Sequence, residues 1–427
     1  MFRGWRIVGV SALSQGVSVG STFYVYGTFL KPLAAEFEAS RLAVTLGLTL
    51  LTVVQGLVAP LIGRALDGGS PRALMMTGVA CHATGLVLLS QITAFWQAAL
   101  LFVLPIAMGA HLFGPLATST VVTRWFTRRR GQALGIASLG SSIGGGIFPP
   151  IAAALIAAFG WRAAFGAMGV GVLLLIVPLA WILVGKPEDV GETPDGDPIP
   201  GADATASSGT GATAKANDGA VPAEAELAEA AAVTTGSLLR DRNFWAISIA
   251  IGFGYCPVSV LLAHLVPFAT DAGIPPARAA IVMTCYAFSG AVGRVLLGWL
   301  TDRIDPRVVV WIGYAWFGLA WLGLLAPTTF GSLLFTGIAA GIAVGGITPV
   351  WAALTGAVFG RLAFGRAMGL TSFVMLPFSV IGAPIAARLF DVSGSYRVAF
   401  ASFLVCFVLG SIAIAFLRPP ARTPRPA

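Results

Sequence analysis

Long apolar stretches alternate with short turns marked by Gly, Pro and charge along nearly the whole chain. These turns divide it into twelve segments, near 6–30, 42–64, 73–93, 96–123, 132–158, 162–184, 244–270, 279–300, 308–327, 331–358, 366–390 and 397–417. Each is about long enough to cross a bilayer as a helix. The interval Lys186–Ser237 between the sixth and seventh is rich in Ala, Gly, Asp, Thr and Pro and almost free of large apolar side chains. Such a stretch cannot bury a core and is expected to be a disordered linker. The expected organisation is a six-helix bundle over 1–185, a linker over 186–238, a second six-helix bundle over 239–420 and a short tail, 421–427. The first apolar segment, Ile7–Leu30, is too long and too polar along one face to be a cleaved signal peptide.

Composition points the same way: of 427 residues, 57% are hydrophobic and only 10% charged, against about a quarter charged in soluble domains. Mean hydropathy is +0.87. The fold class expected is an all-α membrane protein. The net charge of +8 is a topology signal rather than a nucleic-acid footprint. With the N-terminus inside, 19 of the 26 basic residues fall on the linker side, 6 on the other (Lys31, Arg41, Arg162, Arg278, Arg388, Arg397) and one, Arg294, within a segment. This positive-inside bias places both termini in the cytoplasm of a multi-pass inner or plasma-membrane protein. Cys81, Cys256, Cys285 and Cys406 all lie in apolar segments without CxxC spacing, as buried packing residues. No Walker sequence, dinucleotide fingerprint, HExxH or nucleophile elbow occurs. Neither an enzyme nor an ATP-driven pump is indicated, and no cofactor or metal is expected.

The halves repeat each other. Gly63-Arg64-Ala65-Leu66-Asp67 recurs as Gly298-Trp299-Leu300-Thr301-Asp302, 235 positions on. Arg130-Gly131-Gln132-Ala133-Leu134-Gly135 recurs 234 positions on as Phe364-Gly365-Arg366-Ala367-Met368-Gly369, and Pro150–Ala153 as Pro384–Ala387. Trp161-Arg162-Ala163-Ala164-Phe165 recurs at 235 as Tyr396-Arg397-Val398-Ala399-Phe400. Four matches in order at one spacing mark a duplicated six-helix unit.

Arg294 is the chemically distinctive residue. A guanidinium deep in a membrane helix costs about 2.5–3.5 kcal/mol on insertion scales and generally lines a wet path or binds something. Its planar fork of donors suits a carboxylate. Tyr286 and Gly290 stack two turns and one turn before it, with Ser289 alongside. Helix 1 carries Ser11, Ser14, Gln15, Ser18, Ser21 and Thr22 on one face. The face is expected to line a cavity, with helix–helix glue as the other reading. Ser248, Gly252, Tyr255 and Ser259 form a shorter stripe on helix 7, and Trp351 follows Pro349 on helix 10 as an aromatic wall. His111 and His264 are candidate proton carriers, with His82 a weaker one. Gly337, Gly341 and Gly345 read as a close-packing seam.

Two parallel six-helix halves joined by a linker resemble the major facilitator superfamily. The turn Gly63–Asp67 with Arg72 resembles that superfamily's loop motif, with a reduced copy at Gly298–Arg307. The resemblance implies that this acid holds the cytoplasmic gate closed at a neighbouring helix start. Asp67 and Asp302 would then face the N-termini near Gly365 and Gly131, with Arg64 and Arg130 in the same gates. Trp125-Phe126-Thr127-Arg128-Arg129-Arg130 resembles the signature of monocarboxylate porters, as do the glycines that follow (Gly140, Gly144, Gly145, Gly146) and Gly293-Arg294 on helix 8. Gly4-Trp5 is a partial match to that group's other motif, with Arg3 in place of its acid. The likeness implies that Arg294 binds a substrate carboxylate. The chain departs from the group in three places. Gly290 stands where proton-coupled members carry an acid, Tyr24 where a lysine is expected, and Leu370–Ala383, where oxalate-type exchangers hold a second cation, is uncharged. None of the eighteen acids lies inside a membrane segment.

The expected function is secondary transport of small organic monocarboxylates by alternating access, as anion exchange or proton-linked transport. Arg294, Tyr24, Tyr255, Tyr286, Ser289 and Trp351 would contact substrate, His111 and His264 would couple protons, and Asp67, Arg64, Asp302 and Arg130 would gate. The expected partners are a small carboxylate and the lipid bilayer, with the protein a monomer. A drug or metabolite exporter of the same superfamily, and a non-transporting membrane sensor, are the rival readings.

Overall fold

The computed structural model describes residues 2–39, 41–197, 232–326 and 328–418. Helix α1 covers residues 4–36 in three continuous pieces, Gly4–Val19, a π-turn Gly20–Tyr24 and Tyr26–Glu36. Helices α2 (Arg41–Gly68), α3 (Pro71–Leu89) and α4 (Phe95–Trp125) follow. The next helix, Arg130–Ile182, has 53 residues and breaks at Gly160, where φ is 79°. That left-handed conformation suits glycine and divides the helix into α5 (130–159) and α6 (161–182). The second half holds α7 (Arg242–Asp271), α8 (Pro276–Arg303), α9 (Pro306–Leu322), α10 (Phe330–Phe359), α11 (Phe364–Ser393) and α12 (Tyr396–Ala415). Among the described residues, ten helices meet the length and hydropathy of a membrane span. Dividing the longest at Gly160 and adding α1 makes twelve, in the order the sequence predicts.

The bundle repeats internally. In each half the first helix packs on the fifth (α1 on α5, α7 on α11) and the second on the fourth (α2 on α4, α8 on α10). The halves join through two equivalent pairs, α2 with α11 and α5 with α8. Glycine makes the tightest of these contacts possible. Gly337, Gly341 and Gly345 of α10 all lie on α8, against Val282, Tyr286 and Gly290, with no room for a Cβ. The seam read from the sequence is therefore a packing surface. In hydrocarbon, where apolar faces gain nothing from leaving lipid, such close backbone approach supplies the cohesion. Cys81, Cys256, Cys285 and Cys406 are free thiols, buried or half-buried.

Residues 198–231 of the expected linker and the tail 421–427 lie outside the described residues. The two ends of the linker are folded, contrary to the expectation of disorder. Pro187–Val190 and Pro194–Gly196 form 3-10 turns and Thr235–Arg240 a short helix. Asp195 accepts hydrogen bonds from the backbone N–H groups of Thr127, Arg128 and Arg129 at 2.9, 2.8 and 3.3 Å. Glu188 pairs with Arg361 at 2.6 Å, and Leu238 is buried with Ala367 and Leu370. A polar segment gains order here by satisfying the free amides where α5 begins. These flanks and both described chain ends lie at one face of the bundle, here named the linker end.

Candidate functional site around Arg294

Arg294 lies on α8 where it meets α5 of the other half. Its Nη1 donates to Ser142 Oγ on α5, and its Nε is buried without an acceptor. None of the ion pairs among the described residues includes it. Three phenols, of Tyr24, Tyr255 and Tyr286, lie within electrostatic range. Each arrives from a different helix. The π-turn of α1 presents Tyr24, whose ring lies on Gly145 of α5. Tyr255 of α7 shares a hydrogen bond of 2.9 Å with Thr348 of α10 and meets Trp351 edge-on, ring centroids 6.4 Å apart. Tyr286 is buried on α8, and its hydroxyl has no partner, nor does Trp351 Nε1.

The structure thus gathers Arg294, Tyr24, Tyr255, Tyr286 and Trp351 into one cluster. Guanidinium and indole nitrogens donate only, whereas a phenol both donates and accepts. Leaving buried donors unpaired costs about 1–3 kcal/mol each. Three such atoms, around a cation with no acidic partner among the described residues, suit a ligand rich in acceptor oxygens and carrying negative charge.

Ser289 falls elsewhere, and Gly290 sits between the guanidinium and α10. Ser289 donates to Tyr286 O at 3.0 Å and lies on Gly341 in the α8–α10 seam, because its position turns it toward α10. A Cβ on Gly290 would meet Gly341 O at 3.4 Å and Arg294 Nη1 at 4.0 Å. That glycine faces its neighbouring helix, where an added Cβ would sit in ordinary contact with it and one turn from the guanidinium.

The polar face of α1 is glue, contrary to the expected cavity lining. Ser14 donates to Phe113 O at 2.6 Å and Ser18 to Ala110 O at 2.9 Å. Gln15 bonds Thr118 at 2.9 Å and accepts from Ser141 at 3.3 Å. Helix α4 is interrupted at Gly114, just before Pro115, which has no N–H. The interruption frees carbonyls in the preceding turn, and the α1 hydroxyls satisfy them where water is absent. Ser11 and Thr22 keep buried hydroxyls without a partner.

The histidines separate. His111 on α4 has a buried Nε2 without a partner. His264 bonds the Tyr396 hydroxyl through Nδ1 at 3.3 Å and Ala383 O through Nε2 at 3.0 Å. It joins α7 to α11 and α12 as a packed residue. His82 is fully buried between Ser21 at 2.9 Å and Ile106 O at 3.2 Å.

At the linker end the two acids meet the helix starts expected from the repeat. Asp67 accepts from the N–H groups of Gly365 and Arg366 at 2.8 and 2.6 Å. Asp302 accepts from those of Gly131 and Gln132 at 2.6 and 2.7 Å. Both therefore bridge the halves at positively polarised helix N-termini. Arg130 is buried beside Gly356 and acts electrostatically on Asp302. Arg64 is exposed, with no hydrogen bond or ion pair among the described residues, so the second basic residue expected at the Asp67 latch is not Arg64. That place belongs to Arg124, 1% exposed, which bonds Leu66 O at 2.7 Å and pairs with Asp67 at 3.9 Å. Sequence reasoning missed it because the fourth segment, 96–123, stops just short of it and leaves it among the basic residues of the linker side. Ser142 was missed too, as one hydroxyl in a run of glycines.

A twelve-helix membrane bundle of two equivalent halves, latched at one end and enclosing a charged cluster, has the architecture of a secondary transporter. The family model of the Major Facilitator Superfamily matches residues 12–275 and 253–427, and the chain belongs to that superfamily. It is 28% identical to monocarboxylate transporter 13 of Bos taurus over 409 residues, covering 93% of this chain and 85% of that one. It is 24% identical to human monocarboxylate transporter 2 over 425 residues, covering 96% and 84%. Among solved structures, the human organic anion transporter MFSD10 (TETRAN) superposes with a TM-score of 0.69 at 14% identity, over 96% of this chain and 99% of that one. The E. coli fucose:proton symporter FucP superposes with a TM-score of 0.67 at 15% identity, over 98% and 100%. These relatives are transporters, and the protein is a multi-pass membrane member of their family.

Proposed function

We propose that this protein carries small organic monocarboxylates across the cytoplasmic membrane by alternating access, with Arg294 binding the carboxylate. The observation that carries the reading is a membrane-embedded guanidinium with an unpartnered Nε, no acidic partner among the described residues and two further unpaired polar groups beside it. A carboxylate supplies the acceptor atoms and the charge this cluster lacks. A single cation balances one negative charge, which favours monocarboxylates over dicarboxylates. The names of the monocarboxylate transporter relatives agree with this class. The linker end faces the cytoplasm, as the positive-inside bias requires, and the Asp67 and Asp302 latches hold that side closed.

Transport runs as anion exchange or as proton-linked transport, and His111, whose buried Nε2 has no partner, is the candidate proton carrier in the first half. A panel of radiolabelled short-chain acids in proteoliposomes, with and without a pH gradient, tests the function. Arg294→Gln is expected to lower monocarboxylate uptake by about 100-fold. Uptake by the variant at the wild-type rate would overturn the assignment.

A further inference from the structure

The bond between Arg294 and Ser142 joins the two halves at the binding cluster itself. Arg294 belongs to α8 and Ser142 to α5, and these two helices form one of the two pairs that hold the halves together. Along this contact, Gly131 meets Gly298 at the linker end and Gly135 meets Arg294 O further in. Gly146 lies against Phe288 beyond. Most of this seam is backbone on backbone, and Asp302 latches its linker end. The Arg294–Ser142 bond is the side-chain hydrogen bond within it nearest the binding cluster.

We propose that Ser142 is a positioning residue that holds the empty carrier shut by standing in for the substrate on Arg294. This rests on the reading of Arg294 as the carboxylate site. A guanidinium in a membrane needs an acceptor, and no acid among the described residues pairs with this one. In the empty protein the serine hydroxyl fills that need from the opposite half. A carboxylate oxygen bonds a guanidinium about twice as strongly as a neutral hydroxyl, so an arriving substrate takes Nη1 and releases Ser142. The loaded protein then has one tie fewer between α5 and α8, and the halves separate more readily at the linker end. The empty protein keeps the tie and resists the same movement. Exchange of one anion for another is thereby favoured over net movement, which requires the empty carrier to reorient.

The amides of Gly131, Gln132, Gly365 and Arg366 report directly on this, because Asp302 and Asp67 protect them only while the linker end is closed. Their hydrogen–deuterium exchange is to be followed by mass spectrometry in the intact protein, with and without pyruvate, for wild type, Ser142→Ala, Ser142→Gly and Ser142→Thr. Loss of a hydrogen bond to a charged group corresponds to about a tenfold change. Ser142→Ala and Ser142→Gly, each empty, are expected to exchange about tenfold faster than empty wild type, and Ser142→Thr, which retains the hydroxyl, at the wild-type rate. Empty Ser142→Ala and Ser142→Gly both exchanging as slowly as empty wild type would overturn the tie. Pyruvate is expected to bring wild type to the rate of empty Ser142→Ala. Faster exchange in Ser142→Ala combined with no response of wild type to pyruvate would leave the tie standing and overturn its displacement by a carboxylate.

Discussion

Arg124 and Arg294 are both held inside the bundle, and their surroundings differ in one respect. Arg124 has a carboxylate, that of Asp67 at 3.9 Å, along with the Leu66 carbonyl at 2.7 Å. Arg294 has a neutral hydroxyl and three phenols, and no acid pairs with it among the described residues. In the first arrangement the protein supplies the counter-charge: cation, anion and helix N-terminus close on one another, although the Arg124 Nε, like that of Arg294, has no acceptor. The second lacks an anion. A buried arginine therefore reads as structure or as binding site according to whether the protein supplies its counter-charge, and burial alone does not tell the two apart.

The comparison can be broken from either side, starting with the largest effect. Arg124→Ala removes one partner of a buried pair and leaves Asp67 with the helix amides of Gly365 and Arg366 but without its paired cation. It is expected to cost about 3–5 kcal/mol of stability, seen as a lower thermal unfolding temperature in detergent, whereas Arg294→Gln should leave that temperature close to wild type. Equal losses would erase the distinction drawn here. Gly290→Asp converts the second arginine into the first kind. The new carboxylate sits one turn from Arg294, and the Cβ position has ordinary clearance, 3.4 Å from Gly341 O. Monocarboxylate uptake is expected to fall about tenfold near neutral pH and to recover as acid protonates the aspartate and releases the guanidinium. Uptake that ignored this substitution would mean the carboxylate binds elsewhere.

Asp67→Asn keeps the shape of its latch and removes the charge that two helix amides and Arg124 share. The closed state is expected to lose about 1 kcal/mol, read as faster hydrogen exchange at Gly365 and Arg366; unchanged exchange would remove Asp67 from the gate. Glu188→Ala stands at the bottom of the series. Its partner Arg361 is 14% exposed but Glu188 itself is 45% exposed, so the pair is worth at most about 1 kcal/mol. A larger shift in the same exchange measurement would promote the linker from a cover to a principal strap.

What could be read from the chain follows a physical line. Helix number and the twofold repeat come from hydropathy and spacing, which lipid enforces strongly. The amide donors to Asp67 and Asp302 were legible because the repeat pairs Gly131 with Gly365, and each acid could be matched to the helix start in the opposite half. Arg294 stood out by its cost. Spacing shows which residues share a face but not what that face meets. So the α1 stripe was assigned to a cavity although its hydroxyls serve carbonyls freed by the break at Gly114 in α4. Ser289 fell into the α8–α10 seam for the same reason. The π-turns at Gly20–Tyr24 and Phe102–Ile106 are changes of hydrogen-bond register, and no residue type announces them. Arg124 and Ser142 gained their meaning only from neighbours distant in sequence.

The central claim is that Arg294 awaits a carboxylate. Its most direct test is calorimetric titration of the purified protein with pyruvate, for wild type and Arg294→Gln side by side. Wild type is expected to bind, and the variant to bind about 100-fold more weakly or not measurably. Equal affinity in the two proteins would contradict the account.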